Sequence, residues 1–314
     1  MIVTVTLNPC VDRTVQVDGF APGRTNRVAA SRCDVSGKGI NVSIALRNLG
    51  ERTLCLGFDY TGSGGLLPKT LRRLGIESDF VPVDGELRTN IKIFDTKTRV
   101  MSELNETGAP VGPGALRALE ETLERRLPQA GLLVLDGSAP PGVPADFYRA
   151  LAERAARHGV GTVIDAYGDL LLEGIKARPC LIKPNRDELE EAFGERIATK
   201  EDAVRVARKV IAEGVGMVCV SLGKEGALLV TADEAYFSPG ADVPVRGVQG
   251  AGDSLVAGMS YAMVRSMPLP EILRHGVAVA HGSLILEGTQ MCSREGFLRM
   301  LPLIHAEKLD EQPL

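Results

Sequence analysis

The sequence predicts an α/β fold in which a doubly wound, mostly parallel sheet carries a small β-sheet lid. Two observations lead there. Short β-branched runs alternate with helical patterns along most of the 314 residues, as expected of parallel strands joined by crossover helices. Residues 12–34 and 88–104 break the alternation and read as strands with no helix between them. No internal repeat or low-complexity linker divides the chain, so residues 1–314 are read as one domain with these two segments as its lid.

Buried strands are expected at 3–7, 54–57, 132–135, 162–165, 180–182 and 217–221, where apolar residues run without polar interruption;. Helical patterns fill 39–49, 63–74, 113–127, 144–158, 169–177, 186–193 and 200–213, and three more occupy 251–265, 268–287 and 293–305. In 88–94 the period is two, so Ile91 and Ile93 face one way while Arg88, Asn90 and Lys92 face the other;. Asp95 to Thr98 supplies a turn into a return strand;. The expected flap lies at one edge of the large domain, apolar on one face and cationic on the other. A solvated strand face explains it, and so does an anion-holding surface. Arg24 and Arg27 in the other flap segment favour the second, because several cations on one movable element suit an anionic ligand;.

Composition narrows the function classes. Apolar residues make up 44%, enough for a sizeable core;. The net charge of −4, the 4% aromatic content and the lack of Trp argue against a nucleic-acid partner;. Cys10, Cys33, Cys55, Cys180, Cys219 and Cys292 form no C-x-x-C pair, so neither a zinc site nor a redox motif is signalled, and a reduced cytoplasm is expected;. The first residues lack the pattern of a signal peptide. No run approaches the ~20 apolar residues of a membrane span.

Four glycine-rich or capped segments carry candidate chemistry. Gly250-Ala251-Gly252-Asp253-Ser254 opens a helix, and small residues there leave backbone N–H groups free for an anion;. Such a site helps where negative charge develops on a phosphoryl group, and Asp253 points at the same spot as a candidate base. A helix-stabilising Asp explains the same residues. Ser36-Gly37-Lys38-Gly39-Ile40-Asn41-Val42 opens a second helix, where Lys38 adds charge and Asn41 offers a donor and an acceptor to a polyol. Neither a Walker A loop nor a dinucleotide fingerprint occurs;. Asn185 with Glu188 reads as a capping box or as a pair that organises waters around magnesium;. Ser221-Leu222-Gly223-Lys224-Glu225-Gly226 is either a close-approach loop for a nucleotide or a plain turn;.

In this order, together with Thr6-Leu7-Asn8-Pro9-x-x-Asp12, Arg88-Thr89-Asn90-Ile91-Lys92 and Gly137-Ser138-x-Pro140-Pro141-Gly142, these segments resemble the PfkB (ribokinase-like) carbohydrate kinases over residues 2–305, nearest to the 1-phosphofructokinase and tagatose-6-phosphate kinase branch. The resemblance implies a ribokinase-like domain with a β-lid often used for homodimerisation, ATP and Mg2+ as cofactors, and a sugar phosphate as substrate. It implies Asp253 as base, Gly250, Ala251 and Gly252 as anion hole, and Asp12, Gly37, Lys38 and Asn41 on the sugar hydroxyls. Arg24, Arg27, Arg88 and Lys92 would hold the phosphate already on the substrate, with Asn90 and Ser138 in the same cleft. Lys183, Asn185, Ser221, Gly223 and Gly226 would serve ATP, with Glu188 and Asn185 on magnesium through water. Fructose 1-phosphate is the expected acceptor. The alternatives are tagatose 6-phosphate, an unphosphorylated sugar, or a non-catalytic sensor of sugar phosphates.

The chain departs from the family pattern at Ser36, Thr107, Asp136, Tyr167 and Val248-Gln249. None of these removes a catalytic group. Asp136 adds negative charge near the cleft and Tyr167 adds bulk.

Overall fold

The computed structural model describes residues 1–309. In chain order the first elements are β1 (Ile2–Thr6), β2 (Cys10–Val17), β3 (Val28–Ser36), α1 (Lys38–Asn48), β4 (Thr53–Tyr60), α2 (Leu66–Arg73), β5 (Glu77–Val83), β6 (Arg88–Asp95) and β7 (Met101–Asn105). Then follow α3 (Pro113–Arg126), β8 (Leu132–Asp136), α4 (Phe147–Arg157), β9 (Gly161–Asp165), α5 (Gly168–Ile175), β10 (Leu181–Ile182), α6 (Arg186–Phe193) and α7 (Lys200–Ala212). The chain ends with β11 (Val218–Ser221), β12 (Ala227–Val230), β13 (Ala235–Ser238), α8 (Ala251–Met263), α9 (Leu269–Leu284), α10 (Arg294–Met300) and β14 (Glu307–Lys308).

Ten strands form the large sheet in the order β14-β13-β12-β11-β10-β9-β8-β1-β4-β5. The seven from β11 to β5 run parallel, and β12, β13 and β14 close one side antiparallel. All six expected strands belong to it. The edge strand β5 did not stand out in the sequence, because its residues Glu77, Ser78 and Asp79 are polar and its outer side pairs with no strand among the described residues;.

The sheet is buried on both faces, which explains its apolar strands. Along β1, Val3 and Val5 point into a core shared with α3, α4 and α7, while Ile2 points into a second core with α8, α9 and α10. The helix α8 is buried almost all round, and it packs closely on α9 because Gly258 lies against the backbone of His275 and Gly276.

The two segments expected to form a flap make a separate four-stranded sheet, β3-β2-β6-β7. The expected turn is present: Asp95 accepts from Lys97 N at 3.0 Å and from Thr98 Oγ1 at 2.8 Å. The sheet does not hang from one edge alone. The pair β2/β3 leaves from β1, inside the large sheet, and β6/β7 leaves from the edge strand β5. The parallel pairing of β2 with β6 sets Asp12 beside Asn90 and Thr14 beside Lys92, which carries the small sheet over the C-terminal ends of the parallel strands. Clefts of open α/β sheets form at those ends. Among the described residues no helix is long and apolar enough to cross a membrane, and all six cysteines are free thiols.

Candidate active site

A cavity of about 450 Å³ lies between the small sheet and the large one. Asp12, Asn90, Lys92 and Arg88 come from the small sheet, Gly37, Lys38 and Asn41 from the start of α1, Gly137 and Ser138 from the loop after β8, and Gly250 and Asp253 from the start of α8. Five motifs spread over more than 240 residues therefore meet in one place.

Asp253 is the third residue of α8 and is 5% exposed. Gly250, with φ of 73°, caps the helix, a backbone conformation that glycine adopts without strain;. No side chain caps α8; Ala251 N donates to Val248 O at 3.4 Å, and the Gly252 amide lies open beside the carboxylate;. Asn41 donates from Nδ2 to Asp253 Oδ2 at 2.7 Å, which fixes the carboxylate from across the cleft. Burial raises the Asp253 carboxyl above its usual range, against the opposing pull of Lys38 and the Asn41 bond.

Beneath Asp253 lies a charge cluster in which the carboxylates and Lys183 are buried and Lys38 is partly exposed. Lys38 Nζ is 3.6 Å and Lys183 Nζ 3.2 Å from opposite oxygens of Asp165. Lys183 also stands next to Gly252 at the start of α8. Asp165 drives the Lys38 ammonium well above its usual range. Carboxylate oxygens of Asp136, Asp165 and Asp253 lie within 4.8 Å of one another. With two ammonium groups already against Asp165, this is an ion-paired cluster and not an open cage for a hard cation. Asp165 was not singled out in the sequence as a site residue. A lone Asp after an apolar strand carries no local signal, since its partners are 127 positions before it and 18 after it.

Substrate-side residues are organised differently from the simple cationic face that the sequence suggested. Lys92 is 6% exposed and its Nζ is 2.9 Å from Asp12 Oδ2, so its charge is matched within the chain. Asn90 donates to Asp12 Oδ1 at 3.1 Å. Asp12 is thereby locked in place, and the cationic face is the more buried side of the small sheet. Arg88 donates to the carbonyls of Asn8 and Glu106 and to Asn90 Oδ1, and forms no ion pair among the described residues. Its charge is left to face the cleft. Asn8, which holds both Arg88 and Ser138, lines the cavity as well and was missed as a site residue, although its motif was quoted. Glu103 and Thr289 also line it without a sequence signal, and Asn105 and Gln249 line it from segments where the chain departs from the family pattern.

Arg24 and Arg27 are not brought to this cleft. They stand exposed in the turn between β2 and β3, at the far end of a hairpin whose base is Cys10 opposite Ser36. At about 3.3 Å per residue the tip lies roughly 20 Å from Asp12. Tyr167, half exposed, and Asp136, fully buried, both line the cleft.

The residues expected to serve a nucleotide lie at the ends of β10 and β11, outside the residues that line this cavity. Asn185 and Glu188 form both halves of the capping box, each at 2.8 Å. The box uses one carboxylate oxygen of Glu188 and leaves the second, and the charge acts on Lys38 and Lys183. One free carboxylate oxygen among waters suits magnesium, so both readings of this motif are compatible. Ser221 bridges to Asn185, and Gly223 and Gly226 have φ of 59° and 112°. A Cβ on Gly226 would sit 2.0 Å from the Ser238 carbonyl.

A larger cavity of about 640 Å³ opens further out, between β2, β3 and the loop 245–249, with Arg32, Arg99 and Arg246 on its walls. It shares Val248 and Gln249 with the cleft and contains none of the motif residues. We take the smaller cavity as the active site because the buried titratable groups are there.

Comparison with known proteins points the same way. The pfkB family carbohydrate kinases match residues 5–295. The chain is 37% identical to the 1-phosphofructokinase of Rhodobacter capsulatus, covering 90% of each chain, and 36% identical to that of Bacillus subtilis, covering 98% of this chain and 100% of the other. The crystal structure of phosphofructokinase-2 from Escherichia coli in complex with substrates and products superposes with a TM-score of 0.91 at 26% identity, covering 96% of this chain and 98% of that one.

Proposed function

Because the chain belongs to the pfkB family of carbohydrate kinases, we propose that it transfers the terminal phosphoryl group of ATP to a hydroxyl of a ketohexose monophosphate, fructose 1-phosphate giving fructose 1,6-bisphosphate. The observation that carries this reading is the position of Asp253. It is buried at the open start of α8 and faces Asp12, Asn90 and Arg88 across one cavity. Asp253 takes the proton of the acceptor hydroxyl while that oxygen bonds to phosphorus and the bond to the ADP oxygen breaks. The amides of Gly250 to Gly252 meet the charge on the transferring group. Asp12, Asn41, Gly37 and Lys38 hold sugar hydroxyls, and Arg88, with Ser138 nearby, reads the phosphate already present.

Lys183, Asn185, Ser221, Gly223 and Gly226 form the nucleotide side. Glu188 and Asn185 would hold magnesium through water, and the ion would supply positive charge to the phosphates. The lid is the small sheet, and its outer face presents Ile91, Ile93 and the 59% exposed Leu104 as a surface for a second copy;. The six free thiols fit a reducing compartment such as the cytoplasm;.

A panel of fructose 1-phosphate, fructose 6-phosphate, tagatose 6-phosphate and the free ketohexoses, read by ADP release with Mg-ATP, tests the assignment. Turnover of a free sugar or nucleoside with none of the phosphates would overturn it.

A further inference from the structure

The charge cluster beneath Asp253 holds three carboxyl groups against two ammonium groups. Four of the five have partners. Asp165 faces Lys38 and Lys183, and Asp253 accepts from Asn41. Asp136 differs. It is 0% exposed, and neither of its oxygens has a hydrogen-bond donor or an ion-pair partner among the described residues. An ionised carboxylate in that setting costs several kcal/mol, and a second carboxylate within 4.8 Å makes it costlier;.

We propose that Asp136 holds a proton while the neighbouring Asp253 stays ionised, so that the base works as one half of a carboxyl pair. The groups facing Asp136 are Asp165 from β9, Asp253 from α8, Lys38 from α1, Lys183 beyond β10 and Tyr148 from α4. Tyr148 is spoken for, since its hydroxyl donates to Gly137 O at 3.1 Å. With one proton on the pair, two negative and two positive charges remain and the cluster is neutral. Of the two carboxyls Asp136 is the better home for the proton. It is fully buried and accepts from no donor among the described residues, whereas Asn41 stabilises the ionised form of Asp253. Burial pushes both carboxyls up. The pair therefore has three states. With two protons it has no base. With one it is poised for catalysis. With none it places a surplus negative charge beside the incoming phosphates and repels them.

Asp136 acts here through Asp253 and is a positioning residue. The inference rests on Asp253 being the base, so the first test needs no turnover. Difference infrared spectroscopy of the wild-type chain across a pH series should show a protonated-carboxyl band at neutral pH that is lost in Asp136→Asn and in Asp136→Ser. A band identical in the wild type and both variants would overturn the proposal, whatever the activity. The second test is the pH profile of kcat/KM. Wild type should lose activity on the alkaline side by ~10-fold per pH unit as the Asp136 proton leaves, and Asp136→Asn should lack that limb. An unchanged alkaline limb overturns the proposal. A uniform loss at every pH does so too, since that marks a structural role. A shift confined to the Mg2+ concentration needed for half-activity also overturns it, because the trio would then be serving a metal.

Discussion

Asn41 and Asp253 are joined by a 2.7 Å hydrogen bond although 212 residues separate them in the chain. Each sits in the first turn of its helix, α1 and α8, and the bond ties the sugar-side glycine motif to the base. A carboxylate held this way cannot swing away from the cleft, and its ionised form is favoured by the amide that holds it;.

Asp253→Asn keeps the shape and removes the basicity. We expect kcat to fall by ~10²–10⁴, with acceptor binding by calorimetry retained. Retained turnover would place the base elsewhere.

The acid side of the pH profile should belong to this carboxyl. Its value lies above the ordinary 3.8 because of burial, and a base works only when deprotonated. Activity should fall as the pH drops through that raised value. Stability runs the other way. Between 3.8 and the raised value the folded state binds more protons than the unfolded one, so stability falls as pH rises;. Urea unfolding at acidic and neutral pH should show Asp253→Asn gaining on wild type as pH increases.

Arg88 lines the cleft and forms no ion pair among the described residues, so we expect it to meet a substrate phosphate. A charge-assisted bond worth about 1.5–3 kcal/mol predicts that Arg88→Ala raises KM for a phosphorylated acceptor by roughly 10- to 100-fold. The unphosphorylated analogue should change far less. Equal effects would show that Arg88 does not read the phosphate.

Lys92 and Asp12 form a buried pair, 6% and 4% exposed. Lys92→Met strands the carboxylate and should cost about 3–5 kcal/mol in urea unfolding. Adding Asp12→Asn should recover much of that, since the stranded charge goes with it. Additive losses would mean that the two side chains do not depend on each other.

Gly226→Ala sets a Cβ against the Ser238 carbonyl at a φ of 112°. A cost of about 1–3 kcal/mol is expected, with KM for ATP raised and KM for the sugar unmoved. Gly223→Ala meets no atom within 4 Å and should cost less.

Much of this was legible in the sequence. The six parallel strands were found because burial on both faces makes them continuously apolar. Strand β5 was missed because only one of its edges is paired and its first half is polar. The period of two in 88–94 put Arg88, Asn90 and Lys92 on one face, and all three line the cleft. That pattern could not say that Lys92 is neutralised, because Asp12 lies 80 positions away on the neighbouring strand. Nor could it keep Arg24 and Arg27 out of the cleft, since a hairpin's reach depends on its pairing register.

The sequence by itself determined the fold class and the family and pointed to Asp253 as the candidate base, because each rests on local spacing: alternating strands and helices, glycines at helix starts, an acid in the first turn. Tertiary structure alone decided which charges are spent on each other and which remain for a substrate. Asp165 is claimed by two lysines, Lys92 by Asp12, and Asp136 by no donor at all. Such pairings are set by through-space distance and by burial, and neither is a property of neighbours along the chain.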